Sequence, residues 1–280
     1  MPSPAPTLAV ATAPRVAAPR RWVLLRGLGR DGRHWFDFPH RFARELGAPC
    51  LLLDLPGTGE LVSGPAPASV EGHARQLDRQ LDRQLAVGNE ASKWGPIGVL
   101  AVSFGSMVAF AWAARRPDRI SHLVSINSSS RDSRPYRRLR PRAARQLLSA
   151  ALLPPLTRER CIYALTTHGP PQACEAWALQ AAEFARARPI KPMTLLRQLL
   201  AAAGFSLPEL AAPCLILSSQ RDRLVSPACS EAIARRLGAP HLSHPWAGHD
   251  LPLDDPDWVI ARVRCWLSHA PCVSGAAAAP

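Results

Sequence analysis

Short apolar runs alternate with segments of helical spacing along this 280-residue chain. Residues 22–26 (WVLLR), 50–54 (CLLLD), 97–102 (IGVLAV), 120–126 (ISHLVSI), 214–218 (CLILS) and 241–246 (HLSHPW) read as strands. Most are continuous in Val, Leu and Ile, which predicts strands buried on both faces of a parallel sheet. Apolar residues recur at three- and four-residue intervals over 34–46, 69–87, 107–114, 227–237 and 255–267, and these predict helices. Ser69 is suited to cap the second of them, and Pro256 to open the last. The alternation predicts an α/β architecture, a mostly parallel central sheet flanked by helices.

The rhythm breaks after the fourth strand. Residues 130–207 hold no convincing strand, only Pro, Arg, Ala and Leu in helical patterns. They predict a helical lid inserted into a core made of 21–129 and 208–269. Residues 1–20 and 270–280 are rich in Ala and Pro and read as flexible tails. The first tail lacks a charged start followed by a clean apolar stretch, which argues against a secretory signal. No run approaches the roughly 20 apolar residues of a membrane span.

Composition adds less. The seven cysteines are odd in number and none are spaced as C-x-x-C, so neither a disulfide framework nor a zinc site is expected. Reduced thiols and a cytoplasmic location follow as expectations, with Cys50 and Cys214 as small buried side chains at strand starts. The net charge is +13, densest at Arg131, Arg134, Arg137, Arg138, Arg140, Arg142 and Arg145. Two readings stand: a solvated arginine-rich surface, or a dock for an acidic partner such as an acyl-carrier protein. No nucleic-acid motif accompanies the charge.

The candidate chemistry sits at the ends of the runs. Ala101-Val102-Ser103-Phe104-Gly105 lies where the third strand gives way to a helix. A serine hydroxyl needs a base to become a nucleophile. A sharp strand-to-helix turn exposes it and aims the following N–H groups at a reacting carbonyl. Such a turn needs small residues two before and two after the serine, which Ala101 and Gly105 supply; the alternative is a buried serine in a helix cap. Arg26-Gly27-Leu28-Gly29 follows the first strand and is either an ordinary tight turn or a cradle for an oxyanion, with the N–H groups of Leu28 and Phe104 as donors.

Asp222 lies in the loop beyond the fifth strand, suited to hold an imidazole or else to pair with Arg221 or Arg223 at the surface. Among nine histidines, His249 follows a glycine after the last strand, where a base could reach Ser103. His241 and His244 lie in or beside that strand, and the Cys and acidic residues around them are poorly placed to complete a metal site. His34 either lines the pocket or is exposed. Nucleophile, acid and base thus occur in the order Ser103, Asp222, His249.

With these residues in hand, the chain resembles the α/β-hydrolase superfamily over 22–267. RGLG is similar to its HGxG oxyanion turn, DLPGTG (54–59) to its D-x-P-G-x-G turn, and AVSFGS to its nucleophile elbow. SQRDRLVSP resembles the loop bearing the acid, and AGHDLPLDDP the histidine loop. The general likeness extends to small carboxylesterases that cleave pimeloyl-carrier methyl esters. Arg26 departs from the usual His, and a guanidinium there could bind an acidic substrate group. Ala101 and Ser106 stand where glycines are frequent.

The resemblance implies a serine hydrolase that cleaves a carboxylic ester or thioester through an acyl-enzyme. No cofactor or metal is called for. Arg26, Gly27 and Trp35 are candidates for the substrate pocket. A non-catalytic small-molecule binder on the same fold, and an esterase acting on carrier-bound acyl groups, are the alternatives.

Overall fold

The computed structural model describes residues 17–87 and 95–268. Six strands form one parallel sheet: β1 (Trp22–Leu25), β2 (Cys50–Leu53), β3 (Ile97–Val102), β4 (Ile120–Ile126), β5 (Cys214–Ser219) and β6 (His241–His244). Their order across the sheet is β2-β1-β3-β4-β5-β6, with every pair parallel. All the strand carboxyl ends therefore point the same way, and the loops that follow them share one edge.

The inner strands β1, β3, β4 and β5 are buried on both faces, as their composition predicts, whereas the apolar edge strand β2 is half-buried over its first three residues. Val23, Leu25, Val99 and Ala101 face one layer, formed by α2 (Val70–Val87), α3 (Phe104–Arg115) and α9 (Pro227–Leu237), whose Leu77, Val108 and Ile233 meet them. Trp22, Leu24, Leu100, Val102, Val124 and Leu217 face the other. There α1 (Phe38–Leu46) supplies Phe38 and Phe42, and α11 (Pro256–Ser268) supplies Val259 and Val263. The two-residue period along each strand is thus satisfied twice, by helices above and below.

Between β4 and β5 the chain runs through α4 (Pro135–Arg138), α5 (Pro141–Ala150), α6 (Pro155–Thr166), α7 (Pro171–Ala187) and α8 (Pro192–Gly204). Each opens on proline, which lacks the N–H that a first turn leaves unused and is already set at a helical φ. Tyr163, Ala178 and Ala181 pack α6 against α7, with Leu253 of α10 (Leu251–Asp254) closing the cluster. Ala201, at the end of α8, reaches the main core beside Phe205 and Leu207. Arg138, from the basic run, donates to the carbonyls of Ala202 and Ala203 at the last turn of α8. It supplies the donors that a helix end lacks.

Several expectations change. The stretch 34–46 is not one helix. Asp31 caps a 3-10 turn at Gly32–Trp35, and the chain breaks at Phe36 (φ 48°) before α1 begins. The helix expected from Met107 begins three residues earlier, directly after Ser103. The thiols are not all reduced: Cys265 is disulfide-bonded, whereas Cys50, Cys161, Cys174, Cys214 and Cys229 are free. Burial pushes the Cys50 and Cys214 thiols up to about 12. The tails expected at 1–20 and 270–280 lie outside the described residues apart from 17–20. Among the described residues no helix is long and apolar enough to cross a membrane.

Candidate active site

Ser103 stands at the carboxyl end of β3 with φ 57° and ψ −121°. An L residue holds such a conformation only where its surroundings impose it. Here β3 delivers the chain to the edge and α3 must start at once, because the Ser103 N–H is taken by the Ile126 carbonyl of β4 (2.8 Å). Gly105 allows the helix to approach. A Cβ at that position would lie 2.4 Å from the Arg26 carbonyl oxygen. Ser106, also in the tight turn, donates its hydroxyl back to the Ala101 carbonyl (2.7 Å). Phe104 is the first residue of α3, so its N–H has no acceptor within the helix.

The turn after β1 lies against this elbow. A Cβ built on Gly27 would be 3.2 Å from the Ser103 Cβ and 3.8 Å from its hydroxyl oxygen. Gly27 is therefore a direct neighbour of Ser103, and Leu28 follows it in the chain. The turn is braced from α8, where the Gln198 side-chain oxygen accepts the Gly29 N–H (2.9 Å). The turn at 54–59 is braced by its own aspartate, whose carboxylate accepts the N–H groups of Gly32 (2.7 Å) and Glu60 (2.8 Å).

Asp222 and His249 meet beyond β5 and β6. His249 donates Nδ1–H to Asp222 Oδ2 at 2.7 Å, and the two residues are only 6% and 3% exposed. The other carboxylate oxygen accepts the N–H groups of Leu224 (2.7 Å) and Val225 (2.9 Å). The surface pairing considered for Asp222 does not occur. Arg223 donates instead to the Ala164 carbonyl and to His168. Among the described residues no hydrogen bond joins the Ser103 hydroxyl to the His249 ring.

Asn127 is a site residue that the sequence did not signal. It follows β4 with φ 50°. Its amide nitrogen donates to the carbonyls of His249 (2.8 Å) and Gly248 (3.2 Å), and its oxygen accepts the Ser219 N–H (2.9 Å). Its neighbour Ser128 donates to the Ser103 carbonyl (3.0 Å). The end of β4 thus holds the serine turn on one side and the histidine loop on the other. Asp254 holds that loop from beyond, accepting the Gly248 and His168 N–H groups at 2.6 and 2.7 Å. Burial raises its carboxyl to about 6, against the lowering effect of those two bonds.

The expected pocket residues fare differently. Arg26 is 4% exposed, and its guanidinium is committed to Asp250 rather than open to an acidic substrate group. Trp35 is fully buried in the core, beneath that guanidinium and stacked on Phe38. His34 is buried too; its ring belongs to the capping of the 3-10 turn with Asp31, and burial lowers its pKa. His241 is bonded to Ser218 (2.8 Å) and His244 to Asp255 (3.2 Å), so both have structural partners.

A family profile described as the alpha/beta hydrolase fold matches residues 23–256. A protein of Klebsiella pneumoniae (strain 342), provisionally named carbamate hydrolase RutD, is 27% identical over 275 residues, 89% of this chain and 91% of its own. Among solved structures, a thermophilic esterase from Thermogutta terrifontis is 22% identical with a TM-score of 0.66, covering 90% of this chain and 91% of its own. The esterase EaEST from Exiguobacterium antarcticum superposes with a TM-score of 0.71 at 14% identity, covering 90% and 93%. At these identities the structural likeness is one of fold.

Proposed function

The chain belongs to the α/β-hydrolase fold family, and on that premise we propose that it hydrolyses a carboxylic ester or thioester through an acyl-enzyme on Ser103. Family membership and the carbamate hydrolase relative support a hydrolase. The observation that carries the finer reading is the backbone of Ser103, held at φ 57° where a β-strand turns into a helix. That is the strained turn a nucleophilic serine uses.

In this reading His249, fixed with its proton on Nδ1 by Asp222 (2.7 Å), presents Nε2 as the base. Substrate binding draws the serine hydroxyl and Nε2 into the hydrogen bond that is absent without it. Nε2 takes the hydroxyl proton as the Ser103 oxygen attacks the carbonyl carbon. The oxyanion is received by the N–H groups of Leu28 and Phe104, each worth about 3 kcal/mol in the transition state. The imidazolium returns the proton to the departing alcohol or thiol. Water, deprotonated by the same nitrogen, then cleaves the acyl-enzyme and frees the acid. The helices of 130–207 form a lid over this edge, with Leu28 and Phe104 as apolar floor for the acyl chain.

The test is covalent labelling. A fluorophosphonate probe is expected to modify Ser103, identified by peptide mass, in a protein that also hydrolyses short-chain nitrophenyl esters. Ser103→Ala and His249→Ala are each expected to lose turnover while keeping the fold. Near-normal rates in either variant refute the assignment. A wild-type protein that binds esters without reacting with the probe is a binder, not an enzyme.

A further inference from the structure

The residue before the turn at Gly27 and the residue after His249 are joined. Arg26 Nη1 donates to Asp250 Oδ1 at 2.9 Å, and Nη2 donates to Oδ2, a bidentate pair between positions 224 apart in the chain. Both side chains are nearly closed to solvent, at 4% and 5% exposure. Removing two charges from water is costly, and a buried pair often adds little net stability over apolar residues of the same volume. What a fork-to-carboxylate contact supplies is geometry, since two parallel bonds fix both distance and orientation.

The surroundings make that geometry specific. The guanidinium lies 4.8 Å above the Trp35 ring, which is itself immobile in the core. Arg30, the nearest other cation on this turn, is occupied by Glu159 at 2.6 Å. Asp250 is held from behind, its N–H donating to the Thr166 carbonyl (2.8 Å) and its carbonyl receiving Leu253 N–H (2.9 Å). Each partner is therefore rigid, and each is adjacent to a working group. Arg26 is two residues before the Leu28 N–H, and its carbonyl is the atom against which Gly105 packs. Asp250 directly follows His249.

We propose that the Arg26–Asp250 ion pair is a positioning tie, setting the distance between the oxyanion turn and the histidine loop so that base and oxyanion donors act on one carbonyl. It acts on turnover, not on substrate affinity or net stability. It rests on the catalytic reading of Ser103, His249 and Leu28 given above. Both groups touch the reaction only through their neighbours.

The decisive variant is the double replacement Arg26→Met with Asp250→Leu, which removes both charges and leaves neither buried alone. It is expected to melt at or above the wild-type temperature. Its KM for a nitrophenyl acetate should stay within twofold, and its kcat should fall at least tenfold. Fluorophosphonate labelling of Ser103 should slow by a similar factor. Arg26→Lys keeps the charge without the fork, and is expected to lose several-fold in kcat at unchanged KM. A double variant with kcat within twofold of wild type overturns the proposal. So does one whose activity falls only in step with its melting temperature, or that no longer folds, because the pair is then a structural tie. If the wild type is labelled and active while the double variant matches it, this inference alone fails. If the wild type is neither labelled nor active, the catalytic reading fails and takes this inference with it.

Discussion

Ser103 carries a cost that its proposed chemistry explains and its stability does not. At φ 57° and ψ −121° its Cβ is strained, and alanine at the same place keeps that strain, whereas glycine occupies the region freely. Ser103→Gly is therefore expected to be more stable than Ser103→Ala by about 1 kcal/mol, with both inactive. Urea unfolding of the two variants side by side measures this; equal midpoints would mean that the turn is relaxed. The residues proposed for the triad each carry a local signal in the sequence, because each follows an apolar run, where a strand end makes loop residues meet. Asn127 could not be read that way. An asparagine opening the stretch NSSS looks like any loop start, and its partners at His249 and Ser219 are brought to it only by the sheet. The Arg26–Asp250 pair was hidden for the same reason: two charged residues 224 positions apart give no local signal.

The strands were legible because burial on both faces leaves a continuous apolar signature, and β3 and β4 have the predicted limits. Helix boundaries were less so, because they depend on backbone turns that composition does not encode. The break at Phe36 and the start of α3 directly after Ser103 both arise from positive φ at non-glycine residues. The architecture of 130–207 was visible only as helical composition, although its prolines mark the helix starts once the structure is known. What joins these elements at the site is the end of β4. Asn127→Ala removes two bonds to the histidine loop and two to Ser219 of β5, leaving the Gly248 and His249 carbonyls without their buried donor. The loss is expected to be about 2–3 kcal/mol of stability, together with a larger drop in kcat than in Ser103 accessibility to small probes. Hydrogen exchange at 247–250 that stays at wild-type rates in this variant would show that the loop is held by other means.

The molecule as a whole combines a net charge of +13 with several titratable groups that folding buries, so its stability depends on pH through those groups. Two near the site pull in opposite directions. Asp254, raised to about 6 by burial, binds a proton more readily when folded, so its contribution falls as pH rises from 3.8 through 6. His73 does the reverse. Its ring is fully buried, donates Nε2–H to the Pro67 carbonyl (3.1 Å) and stands edge-on to Phe104 with centroids 5.2 Å apart. Burial lowers its pKa from 6.5 to about 4, against the Pro67 bond. Between those values the unfolded chain binds the proton and the folded one does not, so stability falls as pH drops from 6.5 towards 4. The full difference is roughly 3 kcal/mol, at about 1.4 kcal/mol per pKa unit. His73→Gln keeps a donor for Pro67 and has nothing to protonate. At pH 7 it is expected to be less stable than wild type, since an amide fits poorly against the Phe104 ring. On acidification the gap should close by about 2 kcal/mol by pH 4.5. Because Asp254 and every other group are common to both proteins, the difference between the two urea midpoints isolates His73. A gap that stays constant from pH 7 to 4.5 would mean that the imidazole takes up its proton as readily in the folded protein as in the unfolded chain, and so is charged at the acid end of that range. The Phe104 turn would then have a cation beside it.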